Sequence, residues 1–347
     1  MKIKLQTKSG EHSFDCETGE NLLFAGLRAG LTLPYECATG TCGNCRARVR
    51  DGKIHHNWTD APGLAYVKLE KNELLMCQSA ALGNCTLRVP AQVFENETGS
   101  IVPGYRRGVI RNVRNLCRDV VSFDVPVDVP MTFDAGQFAV LSTADVTGGR
   151  AYSMVNYASS AETLNFVVKR KPHGKFSDWL FENDVTGSEI NIFGPLGKAT
   201  FHPDEKKNIL CIAGGSGIAG MMSIIARGCK ESHFSSHKGH VFFGVRTEKD
   251  AFYMDEFLSF AEAYPESLEV TVALSDEDVS AEFQNRYPLI RFRSGFVHSV
   301  ASEEMAGKYE NILAYVAGPP PMVDGAIRML VLEARLPGSD IRYDKFG

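Results

Sequence analysis

The 347-residue sequence has no surplus of positive charge: 37 Lys and Arg face 42 Asp and Glu, for a formal net charge of −5. Nucleic-acid binders ordinarily present a basic face, so the composition gives no ground for that partner. Cysteine is too sparse for a disulfide scaffold, and nine of them, an odd number, fit thiols kept reduced inside a cell. A secretory signal is missing, since Met1–Gln6 alternates charge with Ile3 and Leu5 and no apolar core follows. The uncharged run Asn208–Ala226 nears membrane-spanning length, but Gly214, Gly215, Gly217 and Gly220 divide it into a short strand, a glycine turn and a helix start. Collagen-like, coiled-coil and disordered compositions are absent, as are internal repeats and any catalytic triad or paired-carboxylate motif. The expectation is a soluble, cytoplasmic, monomeric protein with no membrane partner. The chain is too long for one core and suits two or three domains.

What is present falls into three segments. In the first, Lys2–Gln6 and Arg46–Arg50 alternate with period two as half-buried strands, Glu20–Arg28 reads as a helix stopped by Gly30, and a last strand lies near Thr86–Val89. Residues 1–90 carry 11 Lys and Arg against 9 Asp and Glu, so this segment is slightly positive on a negative body. Ala91–Pro103 is polar and reads as a linker. Residues 104–203 are strand-rich, with runs at Gly108–Ile110, Val120–Val125 and Gln137–Leu141, and predict antiparallel β-structure with one helix near Ser177–Glu182. From Asp204 onward, apolar strands (Ile209–Ala213, Val241–Gly244, Leu268–Leu274, Ile312–Ala317) alternate with helical stretches, the pattern of a doubly wound parallel sheet. Domains are therefore expected over 1–93, 104–203 and 204–347.

Cys37, Cys42 and Cys45 are spaced C-x4-C-x2-C, and 31 residues separate Cys45 from Cys77. Plant-type [2Fe–2S] proteins use this spacing with a distant fourth thiolate. A loop that wraps a small anionic cluster must aim backbone N–H groups at sulfur, and Gly40 and Gly43 permit that approach. A structural zinc is the alternative, though only Cys42–Cys45 has the paired short spacing that zinc sites favour. Cys16, Cys85, Cys117, Cys211 and Cys229 show no pattern and read as small buried hydrophobes. His233, His237 and His240 read as a polar loop, His55–His56 as a solvated turn, and Arg46, Arg48 and Arg50 as a solvated strand face that could dock an acidic electron acceptor.

Arg150–Ala151–Tyr152–Ser153–Met154 ends a strand, and its R-x-Y-S resembles the flavin motif of the ferredoxin–NAD(P)H reductase superfamily. The resemblance implies that Arg150 pairs with the FAD pyrophosphate, Tyr152 stacks on the isoalloxazine and Ser153 approaches N5, with Met154 alongside. It also implies pyrophosphate contacts at the helix opening Gly174–Lys175–Phe176–Ser177, and backbone contacts from Val167, Val168 and Lys169. Gly215, Gly217 and Gly220 formally make G-x-G-x-x-G, but the acidic residue the dinucleotide fingerprint requires is missing from the end of the next strand. The superfamily's own version matches instead: Gly214–Gly220 with Gly215, Ser216 and Gly217 at the turn, then Gly244–Val245–Arg246, then Gly318–Pro319–Pro320–Pro321–Met322. The sequence departs in having Gly220 where relatives have proline, and Ala317 in place of a frequent cysteine. Glu248 and Asp250 beside Arg246 favour NADH over NADPH. The resemblance implies that a terminal aromatic, Phe346, covers the flavin.

In its order of segments the chain resembles the reductase components of bacterial multicomponent oxygenases. Asn57–Ala65 and Tyr343–Phe346 resemble in particular the reductases of toluene 4-monooxygenase and its relatives. The implied fold is a β-grasp ferredoxin domain, an antiparallel β-barrel for FAD and a doubly wound α/β domain for NAD. The implied function is electron transfer from NADH through FAD to the cluster at Cys37, Cys42, Cys45 and Cys77. From there electrons pass to a protein acceptor, a Rieske-type ferredoxin or an oxygenase hydroxylase. Alternatives are a reductase for a ring-hydroxylating dioxygenase or a deoxysugar dehydratase, or a non-enzymatic iron–sulfur electron carrier.

Overall fold

The computed structural model describes residues 1–345. Its backbone forms two compact units: Met1–Arg107 with Ala139–Ala151 and Ile190–Leu196, and Gly108–Phe138 with Tyr152–Glu189 and the chain from Gly197 onward.

The first unit starts with β1 (Lys2–Thr7), β2 (Gly10–Asp15) and α1 (Leu22–Arg28), followed by β3 (Arg46–Asp51), β4 (Ile54–His56), β5 (Glu73–Leu75), β6 (Ser79–Ala81) and β7 (Cys85–Arg88). Alternation decides the core here, since Ile3 and Leu5 are fully buried while Lys2 and Lys4 face water. Strand order is β2-β1-β7-β3-β5, with β1 parallel to β7 and the other pairs antiparallel. This mixed sheet with a helix across it is the expected β-grasp. The helix begins at Leu22, two residues later than the sequence pattern suggests, because Asn21 is the N-cap and accepts Phe24 N–H at 3.0 Å. His55 and His56 lie in β4, paired to β6, where a solvated turn was expected. Their alternation with Ile54 is too short to register as a strand without its partner.

The middle segment supplies β8 (Gly104–Val109), β9 (Arg111–Cys117), β10 (Val120–Met131), β11 (Phe138–Thr143), β12 (Val146–Ser153), β13 (Ala161–Lys169), α2 (Lys175–Glu182) and β14 (Glu189–Leu196). Within the first unit the order is β12-β11-β14-β8; within the second, β10 pairs antiparallel with β13 and with β9. The antiparallel strands and single helix match expectation.

The C-terminal segment alternates β15 (Asn208–Gly214), α3 (Ile218–Lys230), β16 (Gly239–Val245), α4 (Met254–Ala263), β17 (Leu268–Leu274), α5 (Ala281–Arg286), β18 (Ile290–Ser294), α6 (Val297–Met305), β19 (Ile312–Gly318), α7 (Pro320–Leu332) and β20 (Ile341–Lys345). All pairs are parallel in the order β18-β17-β16-β15-β19-β20. Strands covered on both faces read as unbroken apolar runs, which is why Ile209–Ala213 looks membrane-like in sequence. Among the described residues no helix is long and apolar enough to cross a membrane. The histidines expected in a polar loop are divided. His233 is buried and its Nε2 lies 2.9 Å from Lys207 O, whereas His240 is inside β16, its Nδ1 3.2 Å from Glu269 Oε2. Local polarity around Ser235 and Ser236 hid the start of a buried strand.

Candidate active site

The order of the parallel sheet reverses at β15, between β16 and β19, and ligands bind such sheets at that switch point, beyond the C-terminal ends of the strands. Two sequence motifs meet there. A Cβ on Gly217 would lie 2.3 Å from Ala317 O, and one on Gly318, at φ 150°, would lie 3.1 Å from Gly214 N and 2.5 Å from Met322 Cε. Pro319 is the N-cap of α7 and Pro320 its first residue, so the proline run starts the helix at a point where no intrahelical N–H donor is lost. Gly215 adopts φ 53°, and among the described residues the only atom within 4 Å of a Cβ there is Lys169 Nζ, 3.9 Å away, so the backbone of the turn is open on that side. Ser216 lies in the 3-10 turn between Gly215 and Gly217. Gly244 faces elsewhere: a Cβ there would strike Val297 of α6 at 2.6 Å.

The flavin motif reaches the same place. Ser153, only 7% exposed, has its Oγ 3.5 Å from a Cβ position on Gly220 of α3. The turn around Asp134–Gly136 is fastened to α3 from two sides: Gly136 N–H donates to Ser223 Oγ at 2.8 Å, and Arg227 donates to Asp134 Oδ1 at 2.9 Å and Phe201 O at 2.8 Å. Tyr152 meets Phe176 of α2, ring centroids 5.4 Å apart. Met154, Val167 and Val168 are buried, and Met154 bridges Phe166. Arg150 Nη1 donates to Gly149 O at 2.9 Å. Gly174, not Ser177, is the N-cap of α2, which starts at Lys175; the Ser177 hydroxyl turns back onto Gly174 O at 2.9 Å and Lys171 O at 3.2 Å. Phe346 lies outside the described residues.

Arg246 follows β16 and its Nη2 lies 3.3 Å from Asp250 Oδ1 and 3.5 Å from Asp119 Oδ2. The same Asp119 oxygen holds Lys169 Nζ at 3.4 Å. Glu248 is turned away and accepts the Ser280 hydroxyl at 3.1 Å. The acidic group beside Arg246 is therefore Asp119 together with Asp250. Asp119 lies far away in sequence, and no spacing rule points to it.

In the cysteine loop, Cys37 Sγ accepts N–H groups from Thr39 at 3.5 Å, Thr41 at 3.3 Å and Cys42 at 3.4 Å, and Cys42 Sγ accepts Asn44 N–H at 3.5 Å. Cys45 Sγ and Cys77 Sγ are 3.2 Å apart. Hydrogen bonding from the Cys42 thiol, then from Thr41 and the loop N–H groups, pulls the Cys37 thiol down to about 4 despite its burial. The Cys77 thiol likewise draws Cys45 down. The same pairings push the Cys42 and Cys77 thiols up. What favours thiolate, the form an iron–sulfur cluster takes, is therefore the set of loop N–H groups on Cys37 and Cys42, and four thiols gathered in such a loop fit a [2Fe–2S] group. Gly43 stands at φ 77° with the Tyr66 ring 2.9 Å from its would-be Cβ, a conformation and contact that no other residue tolerates cheaply. Sequence reasoning missed two supports. Gly63 donates its N–H to Gly40 O at 2.9 Å, and Asn21 Nδ2 donates to Cys77 O at 2.7 Å. Of the other cysteines, Cys16, Cys85 and Cys211 are buried as expected, while Cys117 and Cys229 are half-buried. Of the three strand arginines, Arg46 donates to Tyr66 O at 2.8 Å and Arg48 pairs with Glu73 at 3.2 Å.

The fold and these sites define an iron–sulfur flavoprotein oxidoreductase. Family profiles agree: a 2Fe-2S iron-sulfur cluster binding domain matches residues 5–82, an oxidoreductase FAD-binding domain 108–201 and an oxidoreductase NAD-binding domain 211–328. The chain is 33% identical over 339 residues to a ferredoxin–NAD(P)+ reductase of Metapseudomonas resinovorans, covering 97% of this chain and 98% of that protein. It is 31% identical over 338 residues to the ferredoxin–NAD+ reductase component of the alkene monooxygenase system of Xanthobacter autotrophicus, covering 96% and 98%. Among solved structures, the ferredoxin reductase in carbazole 1,9a-dioxygenase is similar with a TM-score of 0.85 and 32% identity, over 100% of this chain and 99% of that one. The chain belongs to the family of reductase components of multicomponent oxygenases. It is an electron-transfer oxidoreductase that uses NAD(H), FAD and a [2Fe–2S] cluster.

Proposed function

We propose that this chain takes electrons from NADH, in preference to NADPH, and delivers them singly to a Rieske-type ferredoxin or an oxygenase hydroxylase. The observation that carries the reading is the contact of Ser153 with Gly220, which brings the flavin motif against the helix that follows the nicotinamide turn. Bound FAD would accept hydride from NADH and release two electrons and one proton, the cluster carrying the electrons one at a time.

The chain's own residues do the holding. Tyr152 would supply a flat ring for the isoalloxazine, and the Ser153 hydroxyl would serve as the polar group toward its N5. The first turn of α2 from Gly174 to Ser177 and the strand Val167–Lys169 would hold more of FAD, and Arg150 is proposed as a phosphate partner. Gly215, Ser216 and Gly217 offer N–H groups to the dinucleotide phosphates, and Gly318, Pro319, Pro320 and Met322 shape the nicotinamide side. Gly244 brings β16 close to α6, and Arg246 after that strand would face the adenosine ribose, where its partners Asp119 and Asp250 would oppose a 2′-phosphate. Cys37, Cys42, Cys45 and Cys77 bind the cluster. Phe346 is proposed as the aromatic cover.

Domain junctions lie between residues 93 and 104 and at 203–204 in this reading. Free thiols support a cytoplasmic location, and the protein is proposed to act as a monomer. An acceptor of the toluene 4-monooxygenase type is proposed on the likeness of the stretch Asn57–Ala65 alone; within it Gly63 buttresses the cluster loop. Anaerobic addition of NADH to the purified holoprotein should bleach both flavin and cluster absorbance. Bleaching of neither, by NADH or NADPH, would overturn the reading.

A further inference from the structure

Helix α1 is tied at its start to a cluster cysteine and along one face to strands of the flavin barrel, all within the first unit. Asn21 makes the first connection, because its Nδ2 donates to Cys77 O at 2.7 Å while its Oδ1 caps the helix at Phe24 N–H. The helix start and the backbone of a cluster cysteine are thereby set by one side chain. Phe24 and Arg28, four apart, share a face of the helix, and Glu20, just before the cap, reaches Arg28. Phe24 stacks on Phe193 of β14 with ring centroids 4.0 Å apart and planes inclined by 9°. Tyr105 of β8 closes the edge, 4.8 Å from Phe193 and 6.4 Å from Phe24. Glu20, 8% exposed, accepts Arg28 Nε at 3.0 Å and Nη2 at 2.9 Å and meets the Tyr105 hydroxyl. Beyond β14 the sheet continues to β11 and then β12, the strand of Arg150.

We propose that α1 is the positioning element that holds the cluster loop at a fixed place on the flavin barrel. Asn21 grips the ligand side, and the Phe24–Phe193–Tyr105 clasp grips the barrel side. Contacts between domains of one chain ordinarily leave relative motion, and single-electron transfer depends on a set separation. Parallel stacked rings and a two-pronged pair between half-buried Arg28 and buried Glu20 are directional contacts that select one orientation. None of these residues touches substrate, so their role is positional. The proposal rests on Cys77 binding the cluster and Arg150 binding FAD.

The test uses holoprotein carrying Phe24→Ala, Phe193→Ala or the ring-preserving Phe24→Tyr. One readout is independent of turnover: amide exchange over residues 22–28 and 190–196. A stack of this kind is worth roughly a two- to tenfold change in an equilibrium, and loss of the buried ring adds to it, so exchange should quicken at least about tenfold in both alanine variants. Exchange over β15 and β16 should not change. In rapid mixing with NADH, flavin bleaching should keep its wild-type rate while cluster bleaching loses its fast phase, and Phe24→Tyr should restore that phase. Phe193 lies outside the iron-binding segment, so Phe193→Ala decides the matter where Phe24→Ala loses iron. Unchanged amide exchange, or unchanged cluster bleaching with faster exchange, would overturn the proposal. Wild-type protein whose cluster stays oxidised with NADH would instead overturn the assignment beneath it.

Discussion

Replacing Gly217 by alanine sets two physical effects against each other. The residue has φ −60° and ψ −19°, a helical conformation that alanine adopts without strain. Propensity and the reduced freedom of the unfolded chain alone would make Gly217→Ala stabilising by ~0.4–1 kcal/mol. The surroundings say otherwise, because the new Cβ would sit 2.3 Å from Ala317 O and 2.6 Å from Ala317 C. These are backbone atoms at the end of a fully hydrogen-bonded strand and cannot swing aside as a side chain could. Reaching ordinary contact requires the glycine turn and β19 to part by about 1 Å, and overpacking of that kind costs ~1–3 kcal/mol. The clash wins, for a net loss of ~1–2 kcal/mol and a fall in Tm of roughly 2–8 °C. Gly220→Ala, three residues on, is the matched control. Its nearest neighbour would be Ser153 Cβ at 3.4 Å, an ordinary contact, so helix propensity should dominate and Tm should stay level or rise by a few degrees, about 2–4 °C. The assay is thermal unfolding followed by circular dichroism, with NADH titration alongside; Gly217→Ala should also weaken NADH binding. A Gly217→Ala protein as stable as wild type, or one that ranks with Gly220→Ala, would refute the reasoning.

Further predictions concern the sites and the buried histidines. Cys77→Ser should remove the cluster absorbance yet leave flavin bleaching by NADH intact; a variant that keeps its full iron content would exclude Cys77 as a ligand. Asp119→Asn removes the carboxylate that holds Arg246 at 3.5 Å and Lys169 at 3.4 Å, so the ratio of kcat/KM for NADPH over NADH should rise about fivefold or more. An unchanged ratio would show that Arg246 does not face the 2′ position. Burial lowers the pKa of His240 and of His233 below the ordinary 6.5, Glu269 opposing the shift at His240 and the Lys207 carbonyl opposing it at His233. Both bind protons less readily in the folded state, so their stabilisation is complete above 6.5 and is lost as pH falls through the lowered folded values. Urea midpoints should therefore fall between about pH 7.5 and pH 5.5, and His240→Gln should flatten the slope. A slope that His240→Gln leaves unchanged would exclude His240 from it.

The cysteine spacing, the R-x-Y-S strand end and the glycine turn were legible in sequence because each lies within a few consecutive residues, where local geometry and chemistry coincide. The strand–helix alternation after Asp204 was legible for a related reason: buried parallel strands must be continuously apolar. Asn21, Gly63 and Asp119 were not legible. Asn21 falls inside the helix expected over Glu20–Arg28, yet it caps that helix and its second atom reaches Cys77 O, 56 residues away. His240 was misread because the polar run from Ser235 to Gly239 just before it dominates a local window, whereas burial against β17 is a long-range fact.

The sequence by itself determined the kinds of chemistry: four thiols at ferredoxin spacing, a cation, ring and hydroxyl for a flavin, and a glycine turn for a dinucleotide. These depend on residue type and on separations short enough for the backbone to enforce. Only the tertiary structure decided which residues face one another. It set Ser153 against Gly220, Asp119 between Arg246 and Lys169, and Phe24 on Phe193. Such pairings depend on strand order and on how side chains fill space between distant segments, and no local pattern encodes either.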